Sequence, residues 1–161
     1  MKKKIFCLLL PLLLMMLCSC GGDMNGWPRL DLDLEIESYD EVSLEYHHIS
    51  AHSDRIPLDV DKDYFGTSTD SEIITEIYRS IEGSPYSEET YDKIDTENYS
   101  SKVVITFCKG GKAGYTFTFY EYAIKDGYFV LDNGEIHKHL GDFVGGTYER
   151  FKDKLETNEQ Q

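Results

Sequence analysis

Disulfide chemistry is almost missing from this chain. Its four cysteines stand at positions 7, 18, 20 and 108, three of them within the first twenty residues. Cys108 is left alone in the body of the chain, so no intrachain disulfide can staple that part. It stands in a β-like run, where a lone cysteine serves as a small buried hydrophobe rather than a nucleophile. Long apolar runs are lacking as well. The longest, residues 5–18, has 14 positions and is interrupted by Pro11. A helix needs ~20 apolar residues to cross a bilayer, so this run is not a spanning anchor. Positive charge is scarce: 16 Lys and Arg against 30 Asp and Glu, a formal net charge of −14. Such a polyanion repels phosphate groups, which excludes nucleic acid as a partner. The charge keeps an exposed domain soluble, and it leaves room for cationic partners or loosely held divalent ions. No serine lies in a Gly-x-Ser-x-Gly setting, and no internal repeat or low-complexity stretch occurs. Acidic pairs are too plentiful for one catalytic dyad to stand out, so a hydrolase is the least supported reading.

What is present begins at the N-terminus. Lys2, Lys3 and Lys4 precede the 14-residue apolar run, which has the length of a signal-peptide core. Leu17 then stands three residues before Cys20, and Ser19 directly before it. This pattern resembles the lipobox of bacterial lipoproteins. The resemblance implies cleavage after Ser19 and a diacylglycerol carried on the Cys20 thiol. Cys18 competes poorly, because Leu17 at its −1 position is too bulky. Two acyl chains suffice for stable anchoring. The expected organisation is a signal peptide over 1–19, a lipid-anchored tether over 20–29, one domain over 30–156 and a disordered tail over 157–161. The 142 residues left after cleavage can bury a real core, and without the three signal lysines they carry a net charge of −17. The expected location is the extracytoplasmic face of a bacterial cell membrane.

Within the domain, hydrophobic spacing predicts the elements. Leu32, Leu34 and Ile36 alternate with Asp31, Asp33, Glu35 and Glu37, which predicts a half-buried strand with an acidic outer face, suited to a sheet edge. Val42, Leu44 and Tyr46 predict a second strand, and Ile56, Leu58 and Val60 a third. Thr69 and Glu72 have capping-box spacing, and Ile73, Ile77 and Ile81 form a helical stripe with Ile74 and Tyr78 beside it. Gly83 and Pro85 stop that helix. A polar loop is expected over 84–100. A meander follows: strands near 103–109, 115–124, 128–131 and 135–140, with turns at Gly110 and Gly111, Asp126 and Gly127, and Asn133 and Gly134. Phe151 and Leu155 suggest a short terminal helix over 148–155. The expected fold is α+β: an antiparallel sheet of about six to seven strands, one main helix on one face and a short C-terminal helix.

This order of elements resembles a class of small lipoproteins of Gram-positive bacteria in which a lipobox and linker precede a domain of unassigned function. The likeness rests on a hairpin carried by residues 41–46 (EVSLEY) and 56–58 (IPL), a helix over 70–78 (DSEIITEIY) and a Tyr/Phe-rich meander, together covering most of 31–155. It implies a binding or envelope-associated domain and transfers no catalytic residue.

Three constellations bear on function. Asp59, Asp61 and Asp63, with Asp70 at the twelfth position, echo a calcium loop, but Tyr64 stands where the sharp turn needs glycine. An acidic turn leading into the helix cap explains them as well. Glu135, His137 and His139 alternate, so a strand would turn all three to one side; paired imidazoles of this kind suit zinc or copper, and His47, His48 and His52 could add ligands. Finally, Tyr115, Phe117 and Phe119 would share one face of a strand, and Thr116, Thr118, Tyr120 and Tyr122 the other. With one helix covering one face, the Thr/Tyr side is expected to stay exposed and to receive an envelope protein or glycan. The leading expectation is therefore a membrane-anchored binding lipoprotein, and the alternative a divalent-metal-binding one.

Overall fold

The computed structural model describes residues 26–48, 62–122, 127–140 and 144–157. The signal segment, the tether up to residue 25, the third expected strand over 56–60 and Asp126 lie outside these residues. The described chain is α+β, as its patterning predicts. Its strands are β1 (Glu41–His48), β2 (Lys62–Ser68), β3 (Tyr86–Thr90), β4 (Ser101–Lys109), β5 (Lys112–Glu121), β6 (Gly127–Val130), β7 (Ile136–His139) and β8 (Glu156–Thr157). They form one antiparallel sheet in the order β3-β7-β6-β5-β4-β1-β2-β8. The helices are α1 (Ser71–Ile81) and α2 (Val144–Phe151).

Alternation and turn chemistry build the middle of the sheet. Gly110 and Gly111 both take positive φ, 59° and 71°, the tight hairpin conformation that only glycine adopts without strain, and they join β4 to β5. The strand register then aligns apolar side chains in cross-strand rows. One row runs Val42, Phe107, Tyr115; the next Leu44, Ile105, Phe117; a third Tyr46, Val103, Phe119, Phe129, His137. Val42, Leu44, Val103, Ile105, Phe107 and Phe129 are fully buried, and Phe117 and Phe119 nearly so. Gly127 contributes by what it lacks. It faces the Phe119 ring, and a Cβ there would lie 2.6 Å from Phe119 Cζ. The glycine of the second hairpin signal is thus also a packing notch.

Helix α1 covers this face, and its cap and stripe each differ by one residue from the expected ones. Asp70 is the N-cap, its side chain accepting from the Glu72 amide at 2.8 Å. Asp competes well with Thr at this position, so Thr69 stays outside. The buried stripe is Ile74, Ile77, Tyr78 and Ile81, with Ile73 only half-buried at its border. The Tyr78 ring meets Phe107 edge-on, with centroids 6.4 Å apart. The terminal helix begins earlier than expected, at Val144, and Phe151 and Leu155 are both buried. Glu76 of α1 ties the helices together, accepting from Arg150 Nη2 at 2.9 Å and Lys154 Nζ at 2.7 Å.

Three expected elements are corrected. Residues 30–35 form no strand. Leu30 and Leu32 are buried and the acids exposed, so the alternation is real, but Asp33 takes φ +46° and a 3-10 turn follows over Ile36–Ser38. The Asp33 amide bonds to Asp31 Oδ1 at 3.1 Å, a local turn that competes with a ladder. Strand β2 lies where an acidic turn was expected. Its positions on the core side are Tyr64, Gly66 and Ser68, so no apolar alternation announces it. The loop expected over 84–100 contains β3, whose polar edge sequence and bulged register on β7 hide the period. Thr157, assigned to the tail, pairs with Gly66 in β8.

The corrected stripe is directly testable. Ile77→Ala should lower the unfolding free energy by about 2–5 kcal/mol, as for a truncated core side chain that leaves a cavity. Ile73→Ala should lose much less. Equal losses in denaturant titrations would mean that α1 is rotated from the orientation described.

Candidate functional site

Both described helices lie on the phenylalanine side of the sheet; among the described residues, the other side is built from strands and the loop over residues 91–100. Register fixes its chemistry. One row reads Asp63, His47, Lys102, Tyr120, Tyr128, Lys138; the next Phe65, Glu45, Val104, Thr118, Val130, Ile136; a third Thr67, Ser43, Thr106, Thr116. At the β1–β2 end, His47 Nδ1 lies 2.7 Å from Asp63 Oδ1 and Nε2 lies 3.7 Å from Glu45 Oε2. The β5–β7 end is aromatic.

The aromatic end is less open than expected. Phe117 and Phe119 are buried and Thr116, Thr118, Tyr120 and Tyr122 face the opposite side, as strand alternation requires. The tyrosines are nevertheless half-buried, because loop 91–100 folds back over them. Tyr99 meets Tyr120 edge-on at 5.5 Å, and Tyr91 meets Tyr128 at 5.1 Å. The Tyr122 hydroxyl donates to the Asp95 carbonyl. Asp95 also organises the loop itself, accepting from the amides of Glu97 and Asn98 at 2.9 and 3.0 Å. This loop, which reads in sequence as a polar, tyrosine-bearing connection, is a partial lid, and what it lies over is set by its ring contacts to the sheet.

Between lid and sheet remains a groove of about 370 Å³, lined by Asp92, Lys93, Ile94, Thr96, Thr118, Tyr120, Val130 and Ile136. Apolar floor and polar rim are the usual composition of a recognition cleft. Burial raises the hydroxyl pKa values around it. Tyr122 is pushed up to about 12, first by desolvation and then by Asp95; Tyr120 rises through desolvation and the neighbouring Tyr99. These tyrosines therefore stay neutral hydrogen-bonding groups through the physiological range. A larger groove of about 710 Å³ runs along the outside of α1, lined by Glu72, Glu76, Arg79 and Arg150 among others. Lys154 and Arg150 hold the Glu76 carboxyl below its usual range, which makes that groove an ion-paired helix seam.

The remaining expected site residues fall elsewhere. His137 and His139 do share a face, but it is the core face. His139 is 7% exposed and edges onto Phe119 at 5.0 Å; His137 packs against Tyr86 at 4.9 Å and Phe129 at 5.5 Å. His137 Nδ1 is buried without a hydrogen-bond partner, and Nε2 lies 3.7 Å from the exposed Glu135 carboxylate. Among the described residues, no group of three or more His, Cys, Asp or Glu is placed to hold a metal ion. Asp63 belongs to β2 and Asp70 caps α1, so the calcium-loop spacing is split between two elements; Asp59 and Asp61 lie outside the described residues. Sequence reading did not anticipate the bond between His48 Nδ1 and Ser101 Oγ, 2.8 Å. These two are direct register partners on β1 and β4 and Ser101 is buried, so the bond ties strands together rather than arming a nucleophile. Cys108 is half-buried, and desolvation with Glu41 and Asp40 pushes its thiol up, away from the reactive thiolate.

Comparison of the chain with protein-family models, with curated proteins and with solved structures gives no match. The site is therefore read from its own geometry.

The tyrosine layer has a pH signature. A hydroxyl whose pKa is higher folded than unfolded keeps its proton longer in the native state, so its stabilisation is complete below the ordinary value of 10.0 and is lost as pH rises towards about 12. Stability measured by urea titration should be flat from neutrality to about pH 10 and fall above it. Tyr122→Phe should make that fall shallower. An unchanged alkaline slope in the variant would show that Tyr122 is not held neutral by the loop.

Proposed function

We propose that this chain is a lipid-anchored extracytoplasmic lipoprotein whose domain binds an envelope protein or glycan through the groove between loop 91–100 and the helix-free face of the sheet. The observation that carries the binding part is the construction of that face. Both described helices cover the opposite side, and the free side presents the apolar pair Val130 and Ile136 in one row with Thr118 beside Tyr120, with a polar rim from Asp92, Lys93 and Thr96. Tyrosine offers a flat apolar surface with a polar tip at small entropic expense, which suits recognition of either sugar rings or protein.

The anchor rests on Leu17, Ser19 and Cys20 behind a basic, apolar leader. Two acyl chains hold a protein on a bilayer because each buried methylene contributes about 0.8 kcal/mol. No helix of the described residues is long and apolar enough to cross a membrane.

Each part has its own test. Cys20→Ala should release the protein from membranes or leave an uncleaved precursor. A variant that stays membrane-bound at the mass of the processed, acylated form would refute the anchor. For the groove, wild-type protein bearing a photo-crosslinker at Lys93 should capture a defined partner from the native envelope. Thr118→Arg fills the groove from a half-buried strand position, and it should abolish capture while moving the melting temperature by only a few degrees. Undiminished capture by Thr118→Arg would place the binding surface elsewhere.

A further inference from the structure

Trp27 is the one tryptophan of the chain, and it is the exposed large hydrophobic residue of the described part, at 48% exposure. Its surroundings are ordered. The Tyr86 amide donates to the Pro28 carbonyl at 3.2 Å, Arg29 forms a β-bridge with Pro85, the Leu30 amide donates to Ser84 at 3.0 Å, and the Gly83 amide donates to Leu30 at 2.8 Å. The chain from Pro28 onward is thus sewn to the junction between α1 and β3, and Trp27 projects from that rim.

Its distance from the lipid is limited. Residues 21–26 separate it from Cys20. Seven extended steps reach at most about 25 Å. Tryptophan concentrates at the headgroup level of membranes, where its ring is buried and its N–H stays wet. One exposed cation stands beside it: the residue two places on is Arg29, whose guanidinium also donates to the Gly83 carbonyl at 3.0 Å, with Asp23 before it and Asp31 and Asp33 further along the chain. We propose that Trp27, flanked by Arg29, inserts into the headgroup layer of the membrane that holds the Cys20 lipid, and so fixes which end of the domain faces the bilayer. This rests on the lipoprotein reading above. Because β3 is an edge strand, contact at this rim leaves the helix-free face open to its partner.

A single tryptophan makes the test clean. The processed protein, with acylation of Cys20 checked by mass, is reconstituted into vesicles of phosphatidylcholine and phosphatidylglycerol. Emission should shift to shorter wavelength than that of unacylated Cys20→Ser protein in buffer. Brominated phosphatidylcholine should quench it by half or more, and iodide should not. Moving the indole to the groove in a Trp27→Phe, Lys93→Trp variant should reverse both responses. Acylated, vesicle-bound protein whose Trp27 is quenched by iodide and not by bromolipid would overturn this proposal alone. An unmodified Cys20 would overturn the anchor reading and this proposal with it. A blue shift that grows with protein concentration in the unacylated form without lipid would make a second copy of the chain the occupant and overturn it too.

Discussion

The structure depends on hiding one face of one sheet. Phe107, Phe117, Phe119 and Phe129 come from three neighbouring strands and are brought side by side by register. Each buried phenylalanine contributes about 1.5–3 kcal/mol relative to an exposed one, and the helices packed across the face deliver most of that burial, with Leu30, Leu32 and Ile36 beside them. Helix α1 supplies Ile74, Ile77, Tyr78 and Ile81, and α2 with its following turn supplies Phe151 and Leu155. The Glu76 bridge to Arg150 and Lys154 holds the two covers in one arrangement.

That choice decides the character of the other face. With both described helices committed, the reverse side is covered, among the described residues, by loop 91–100, and its residues are those that tolerate partial burial. Tyrosines at 91, 99, 120, 122 and 128 interlock edge to face, and the Tyr122 hydroxyl finds the Asp95 carbonyl. Phenylalanine would bury as well but leave no polar tip for the rim. The result is a second, thinner aromatic layer whose unfinished edge is the groove.

Polarity is also distributed along the sheet. The β1–β2 end of the helix-free face carries Glu45, His47 and Asp63, whereas the β5–β7 end is aromatic and aliphatic. The groove accordingly has Thr118, Val130 and Ile136 along its floor beside Tyr120, with Asp92 and Lys93 at its rim.

Much of this was legible in the chain. Alternation at Val42, Leu44 and Tyr46, the stripe through Ile77 and Ile81, and the glycine turns at 110, 111 and 134 depend on neighbours close in sequence, and they specify strands, helix and hairpins before any tertiary contact forms. The opposition of Phe117 and Phe119 to Tyr120 and Tyr122 follows from strand geometry alone. What local order could not carry was decided by packing between distant segments. Leu30 and Leu32 are buried, but pairing with the segment before β3 stops at Leu30, and with Asp33 in a turn the residues beyond it lie against the core without a ladder. Strand β2 has glycine and polar side chains on its inner side because α2 and Leu155 press against it there, a contact across nearly ninety residues. His137 and His139 share a face by alternation, yet which face they share depends on Phe129, their neighbour on β6, being drawn inward. The lid over the tyrosines is the same kind of decision: single residues fix which side a ring points to, and only the folded chain determines what comes to lie on top of it.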